Sequence, residues 1–225
     1  MKTAVKVTIL AIAFGIPILI LLYLNIFGEN QYELEMINPT ELKVYSMKAV
    51  NCEPNEVDSI HRIPDFAFIN QDRDTVTAAD YEGKIYVADF FFATCPDICK
   101  IMTNELIRVQ QRYKENPDIK ILAHTVTPDK DTPEVLKAYA ENYRADLNMW
   151  NFVTGEKEAI YEQARCGYFV VAKPDESNPN DFIHSDKLIL VDKEKRIRGY
   201  YSGTDPEDVD RLITEIALLL KEYEK

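Results

Sequence analysis

Two cysteines four residues apart, in Phe90–Lys100 (FFFATCPDICK), are the side chains in this sequence best placed for chemistry. The segment reads as a buried strand that ends, a few small residues that turn the chain, and a helix starting at or near Cys95. Pro96 suits the first helical turn, where its missing N–H would have no partner in any case. Cys95 is then at a helix N-terminus, where free N–H groups and the macrodipole favour a thiolate. Asp97 opposes that ionisation, because a carboxylate beside a thiolate disfavours a second negative charge. On a helix, residues at this spacing share one face with Cβ atoms ~5–6 Å apart. A small adjustment at a frayed helix end closes a disulfide, whose Cα atoms lie ~4.4–6.8 Å apart. The same spacing also lets both sulfurs hold one metal ion. Two soft thiolates favour Cu(I), and an added imidazole suits copper or zinc. Two buried core cysteines are the plain alternative, and the strand-to-helix setting argues against it.

A third donor must come from elsewhere, and the chain has three histidines. His61 reads as a solvated residue in the connection leading into the folded domain. His124 lies inside the apolar stretch ILAHTV and reads as a core or sheet-edge histidine. His184 lies in DFIHSD, on a loop that follows a stretch rich in Pro, Asn and Asp and precedes an apolar run.

The elements that must position these groups follow from periodicity. Lys84–Phe92 (KIYVADFFF) is an apolar run of the kind that forms a buried central strand. From Cys95 to Asn116 apolar residues recur at three and four (Ile98, Met102, Leu106, Val109, Tyr113), which predicts a helix. Ile119–Val126 predicts a second buried strand, and Thr132–Arg144 a helix with Pro133 at a favoured first-turn position. Trp150–Val153 predicts a short strand and Glu156–Cys166 a short helix. Upstream, DFAFIN alternates as a strand, and QDRD turns the chain before TVT. Lys187–Val191 and Arg196–Tyr201 flank DKEK as a hairpin. Asp205–Tyr223 closes the chain as a helix, with Thr204 or Asp205 as cap and Pro206 in the first turn. This order describes an α/β fold with a mixed sheet and helices on both faces.

Composition sets outer bounds. The chain has 225 residues with 26 basic and 38 acidic side chains, a net charge of −12. That excludes a nucleic-acid binder, which needs a basic face to displace counterions. The hydrophobic share of 46% and charged share of 28% exclude a disordered or collagen-like chain. Four cysteines are too few for a disulfide scaffold. The stretch 7–27 carries no charge over 21 residues, and ~20 apolar residues span a bilayer as a helix. Pro17 in its middle is tolerated in such helices. Lys2 and Lys6 precede the run, and Glu29, Glu33 and Glu35 follow it. The positive-inside rule then puts the N-terminus in the cytoplasm and the remainder outside. A cleaved signal peptide would have a core of ~7–15 residues and a small-x-small site, and LYLNIFGENQ has no such site. The expected organisation is a cytoplasmic N-terminus at 1–6, a transmembrane anchor at 7–27, a stalk or linker at 28–61 with a short helix near Pro54–Ile60, and one folded domain at 62–225.

The segments FFFATCPDIC, TVTPDKDTPEVLKAY and IHSDKLILVDKEKRIRGYYSGT, in that order, resemble the SCO/SenC family. The resemblance spans residues 62–222 or so and implies a thioredoxin-like fold behind one N-terminal transmembrane helix. It implies a membrane-anchored protein that binds copper and helps assemble the dinuclear copper site of cytochrome c oxidase. By that resemblance Cys95, Cys99 and His184 are the ligands of one copper ion, as Cu(I) or Cu(II), and Cys95 and Cys99 are also a redox pair. The implied partner is the copper-bearing oxidase subunit or another copper carrier. The implied location is the cell membrane, with the folded domain on the extracytoplasmic, periplasmic side. The family's D-P-x-x-D-T element corresponds to TPDKDT, with Asp129, Asp131 and Thr132, and Thr127 stands where the family usually has Asp. Many members have Asp directly before the histidine; this chain has Ile183 there and Asp181 three residues back. Lys100 stands where many members have Pro, and its ammonium partly offsets Asp97. Cys52 and Cys166 match no family ligand. Two unpaired cysteines and a disulfide across stalk and domain both stay open.

A metallochaperone is expected rather than an enzyme. The alternative is a thiol–disulfide oxidoreductase that uses the same pair to keep a partner's copper-ligand cysteines reduced. Thioredoxin-like redox enzymes usually carry C-x-x-C and a facing cis-proline. This chain has C-x3-C, and its facing loop carries Ile183 and His184, with no proline closer than Pro179. A peroxiredoxin-like peroxidase would place one peroxidatic cysteine near a threonine and a distant arginine, without a C-x3-C partner.

Overall fold

A computed structural model describes residues 3–27, 33–37, 60–170 and 185–224. The chain divides into two compact units, Met1–Glu33 and Leu34–Lys225. The first contains one helix, α1 (Thr3–Phe27), with Pro17 inside it. Its stretch Val5–Leu24 is long and apolar enough to cross a membrane, and none of that stretch is buried within the protein.

The second unit runs β1 (Ala67–Asn70), β2 (Thr75–Thr77), β3 (Ile85–Phe91), α2 (Ile98–Tyr113), β4 (Ile119–Thr125), α3 (Pro133–Tyr143), β5 (Trp150–Thr154), α4 (Lys157–Glu162), β6 (Lys187–Val191), β7 (Ile197–Ser202) and α5 (Pro206–Glu222). The strands form one sheet in the order β2-β1-β5-β4-β3-β6-β7. Strands β3, β4 and β5 are parallel. β1 joins β5, β6 joins β3, and β7 joins β6, all antiparallel. The expected α/β mixed sheet is therefore present, with its elements in the predicted order.

Every residue of β3 is buried, which explains an apolar run where an alternating pattern would mark a half-exposed strand. Its side chains still alternate between two cores. Val87 and Phe91 face α2, α3 and α5, with Met102, Leu106, Leu136 and Leu212. Tyr86, Ala88 and Phe90 face the opposite layer, with Tyr81, Ile160 and Tyr168.

Part of the segment expected as a stalk packs on the folded unit. Leu34 is buried in the α2-side core, and the Ile37 N–H donates to the Ile197 carbonyl of edge strand β7 at 2.9 Å. Arg198 donates to the Leu34 carbonyl and pairs with Asp192 at 3.0 Å and Glu222 at 2.9 Å. Its buried charge is thus fully partnered, the condition under which such a charge is tolerated. His61, expected to be solvated, is also buried. Its Nε2 donates to the Gly167 carbonyl at 2.7 Å, and its ring lies 4.3 Å from that of Phe169. The helix expected near Pro54–Ile60 falls almost wholly outside the described residues.

Asp131 fixes the end of the sheet where β3 and β4 release their loops. Its carboxylate accepts from the Ala93 N–H at 3.0 Å and from the hydroxyls of Thr127 at 3.0 Å and Thr125 at 2.5 Å. Thr127, standing where the resembling family usually has Asp, here supplies a donor. One carboxylate thereby ties the loop leading to Cys95 to the loop leading to α3.

His124 is fully buried on the other face. It stacks on Phe90 at 4.7 Å, meets Phe68 and Tyr168 edge-on, and leaves Nε2 without a partner. Burial pushes its pKa down to about 4, so the fold holds it neutral.

Two outcomes follow. Asp131→Ala strands three donors in the interior and is expected to cost about 3 kcal/mol of stability. Chemical denaturation measures it, and a loss under about 0.5 kcal/mol would show that the carboxylate is not the tie described. For His124, the unfolded ring binds its proton below an ordinary pKa of ~6.5 and the folded ring only near about 4. This contribution to stability is complete above ~6.5 and is lost as pH falls toward 4, by up to about 3 kcal/mol. His124→Leu should therefore lose less stability than the parent between pH 7 and pH 4. Equal losses would contradict the neutral buried ring.

Candidate functional site

β3 carries the chain to Phe91, and a turn closed by Cys95 N–H to Phe92 carbonyl at 3.1 Å follows. α2 begins at Ile98, later than the expected start at Cys95. The reason is the residue pair Cys95–Pro96. Proline disfavours the helical conformation in the residue before it, so Cys95 stays outside the helix. Asp97 occupies the cap position at φ −132° and ψ −95° and makes no side-chain cap bond. The Cys95 sulfur takes that role: the Cys99 N–H points at Cys95 Sγ at 3.5 Å. The sulfur thus sits against the free donors and positive end of α2, as the sequence implied by a different local route.

Both cysteines are free thiols, Cys95 at 5% and Cys99 at 3% exposure. The Cys99 thiol has its pKa raised, first by burial and then by its hydrogen bond with Cys95, while the Phe92 backbone works the other way. Cys99 therefore keeps its proton at neutral pH. Lys100 and Asp97, the charges weighed in the sequence, are both exposed.

Asp89 is a member of the site that sequence reasoning missed. It shares the β3 face of Val87 and Phe91 and so points toward α2. It is 2% exposed, and its Oδ1 has no partner. Burial raises its pKa to about 8, so it is a neutral acid at pH 7. Once ionised, its carboxylate would further disfavour the Cys99 thiolate. The one signal in the sequence was an acid inside the run KIYVADFFF.

The histidines separate. His124 alternates onto the face of Leu122 and Val126, away from the cysteines, whose core includes Ala123. The sheet itself removes it as a partner for the pair. His61 is bonded to Gly167 in the same far layer. His184 lies outside the described residues, which resume at Ser185. Two residues on, Asp186 accepts from the Ser202 hydroxyl at 2.5 Å and, through its carbonyl, from the Gly203 N–H at 2.6 Å. Gly203 sits so close to α2 that a Cβ there would lie 3.0 Å from Met102 Cγ and 3.2 Å from the Asp186 carbonyl oxygen. The start of β6 is thus pinned against α2 one turn beyond Cys99. Among the described residues no three His, Cys, Asp or Glu side chains gather into a metal-holding group. Cys166 is disulfide-bonded, which settles one of the two states left open for it; Cys52 lies outside the described residues.

Two adjacent, partly shielded thiols at a helix N-terminus can close to a disulfide or share one soft metal ion. Metal binding would expel the proton that Cys99 holds.

The SCO1/SenC family model matches residues 55–221. A Bacillus subtilis protein described as an SCO1 protein homolog is 30% identical over 159 residues, covering 69% of this chain and 81% of the relative. The structure of BsSco, described as having a disulfide switch and as a member of the Sco family of cytochrome c oxidase assembly proteins, is 30% identical. It superposes with a TM-score of 0.62 and covers 71% of this chain and 94% of that one. The copper-bound structure of ScoI from Arabidopsis thaliana is 27% identical with a TM-score of 0.58, over 73% of this chain and 100% of that one. These likenesses bear out the thioredoxin-like form of the mixed sheet. By the extent of the match, which takes in the cysteine turn, the sheet and the last helix, this chain belongs to the SCO1/SenC family.

Proposed function

We propose that this chain holds one copper ion between Cys95, Cys99 and His184 and serves the assembly of cytochrome c oxidase. It either delivers copper to the dinuclear copper site or prepares the thiols of that site. The observation that carries the reading is the pair of free thiols in mutual contact at the N-terminus of α2. Their donor chemistry fits copper: soft sulfur favours Cu(I), and an imidazole completes a set that also serves Cu(II). His184 stands two residues before Asp186, at most ~7 Å of chain away, and the Asp186 carbonyl accepts from Gly203, the residue that packs on Met102 of α2. The copper held by the Arabidopsis relative and the oxidase assembly named for BsSco support the same reading. Copper here is cargo. A three-coordinate site suits transfer, because an incoming thiolate or imidazole adds before an outgoing ligand leaves.

α1 is the anchor in this proposal. Lys2 and Lys6 ahead of its uncharged stretch 7–27, and Glu29, Glu33 and Glu35 after it, favour residues 28–225 on the extracytoplasmic, periplasmic side. The partner is the copper-bearing oxidase subunit or another copper carrier.

A second reading rests on the same thiols. Their contact and the disulfide switch named for BsSco favour a thiol–disulfide oxidoreductase, and both tasks can reside in one protein. His184→Ala separates them. The exchange chemistry of the pair needs no imidazole ligand, so the variant should keep a reducible Cys95–Cys99 disulfide. Cu(I) can remain between two thiolates, with affinity falling about tenfold, or ~1.4 kcal/mol. Stable Cu(II) and oxidase assembly should be lost. Full assembly with copper binding gone would sink delivery and promote the reductase. Unchanged Cu(II) spectra would remove His184 from the ligand set.

A further inference from the structure

The cysteine-bearing turn has a second support, reaching it from α3. Tyr139 is 8% exposed, and its ring packs against Phe91 at 5.0 Å, Tyr143 at 4.8 Å and Phe152 at 5.9 Å. Its hydroxyl lies 2.7 Å from Thr103 Oγ1, and Thr103 donates to the Cys99 carbonyl at 2.7 Å. Thr103 has a single hydroxyl hydrogen, so Tyr139 must be the donor of the first bond. The result is a directed relay: Tyr139 O–H to Thr103, Thr103 O–H to the Cys99 carbonyl. Thr103 is 2% exposed, and in such a dry setting each bond polarises and strengthens the next.

The relay meets Cys99 from one side, while the Cys99 N–H meets Cys95 Sγ from the other. The two peptide groups flanking the Cys99 Cα are thereby both held, and the sulfur with them. Asp97, at the cap position of α2, makes no bond that would do this.

We propose that Tyr139 is a positioning residue for the cysteine pair, acting through Thr103. The relay holds Cys99 where the two thiols are in contact but unbonded, in position to share one soft metal ion, and it weighs against closure to the disulfide. Closure demands sulfurs at bonding distance with a fixed dihedral, and moving the Cys99 turn to reach that geometry pulls its carbonyl from Thr103. The metal part of this inference rests on the copper reading above; the disulfide part does not.

The test uses the full-length protein in detergent, equilibrated with glutathione and its disulfide. In that exchange the pair gives two electrons and two protons to glutathione disulfide, closing Cys95–Cys99 and releasing two glutathione thiols. Tyr139→Phe keeps the ring and deletes the hydroxyl. The expected result is a shift of about fivefold toward the protein disulfide, and Cu(I) binding about fivefold weaker, the scale of one net hydrogen bond. Thr103→Val should reproduce both changes, and Thr103→Ser, which keeps the hydroxyl, should return both to the parent values. Tyr143→Phe, off the relay, should leave both unchanged. A lower thermal midpoint in Tyr139→Phe or Thr103→Val with both equilibria unmoved would overturn the proposal. So would Thr103→Ser behaving as Thr103→Val. A parent protein that fails to bind Cu(I), while Tyr139→Phe still shifts the glutathione equilibrium, would remove the copper reading and uphold the relay.

Discussion

The contact between the Cys99 N–H and Cys95 Sγ is the constraint on which the site depends. A helix begins with N–H groups that have no partner inside it. In α2 the usual capping side chain is idle, because Asp97 makes no bond to the turn. A sulfur from the loop meets one of those donors instead. This is possible only because Cys95 is kept out of the helix by Pro96, so that its side chain can fold back over the helix end. The helix that carries Cys99 therefore needs Cys95 in place, and the two sulfurs are neighbours as a consequence of capping.

The rest of the fold serves that contact in layers. β3, buried on both faces, brings the chain to the turn from the centre of the sheet. Asp131 grips the backbone at Ala93, within the turn. Asp186 and Gly203 hold the start of β6 against Met102. The sheet also acts as a partition. One face carries the thiols and the neutral acid Asp89, and the other carries the neutral ring of His124 in its aromatic cage. Both buried groups are held in their uncharged forms by the same cause, exclusion of water. A buried acid without a full set of partners is destabilising, and clusters of perturbed groups of this kind gather at functional sites.

Much of this was legible in the sequence, because periodicity reports burial and burial decides the elements. The run at Ile85–Phe91, the three-and-four spacing through Tyr113 and the Pro-led helices α3 and α5 read directly as what they are. The start of α2 did not. Two rules compete at Cys95–Pro96, the preference of proline for a first helical turn and its effect on the residue before it, and the second prevails. His61 misled for a different reason: its partner is the Gly167 carbonyl, 106 residues away, and no local pattern announces it. The Tyr139–Thr103 contact spans 36 residues and is equally silent. Asp89 was visible as an acid in an apolar run, but only the fold shows that it faces the thiols. His184 was placed by resemblance to a family, and what supports it beyond that is the reach of the chain from Asp186.

The central claim is that the two thiols at the N-terminus of α2 are the metal-holding centre. It is tested most directly by titrating the full-length protein with Cu(I), once with Cys95 and Cys99 reduced and once with them closed to a disulfide. A sulfur in a disulfide has no thiolate charge to offer a metal. The account predicts one tightly bound copper per chain in the reduced protein, with proton release on binding, and none in the oxidised protein. Tight stoichiometric binding by the oxidised protein would contradict it.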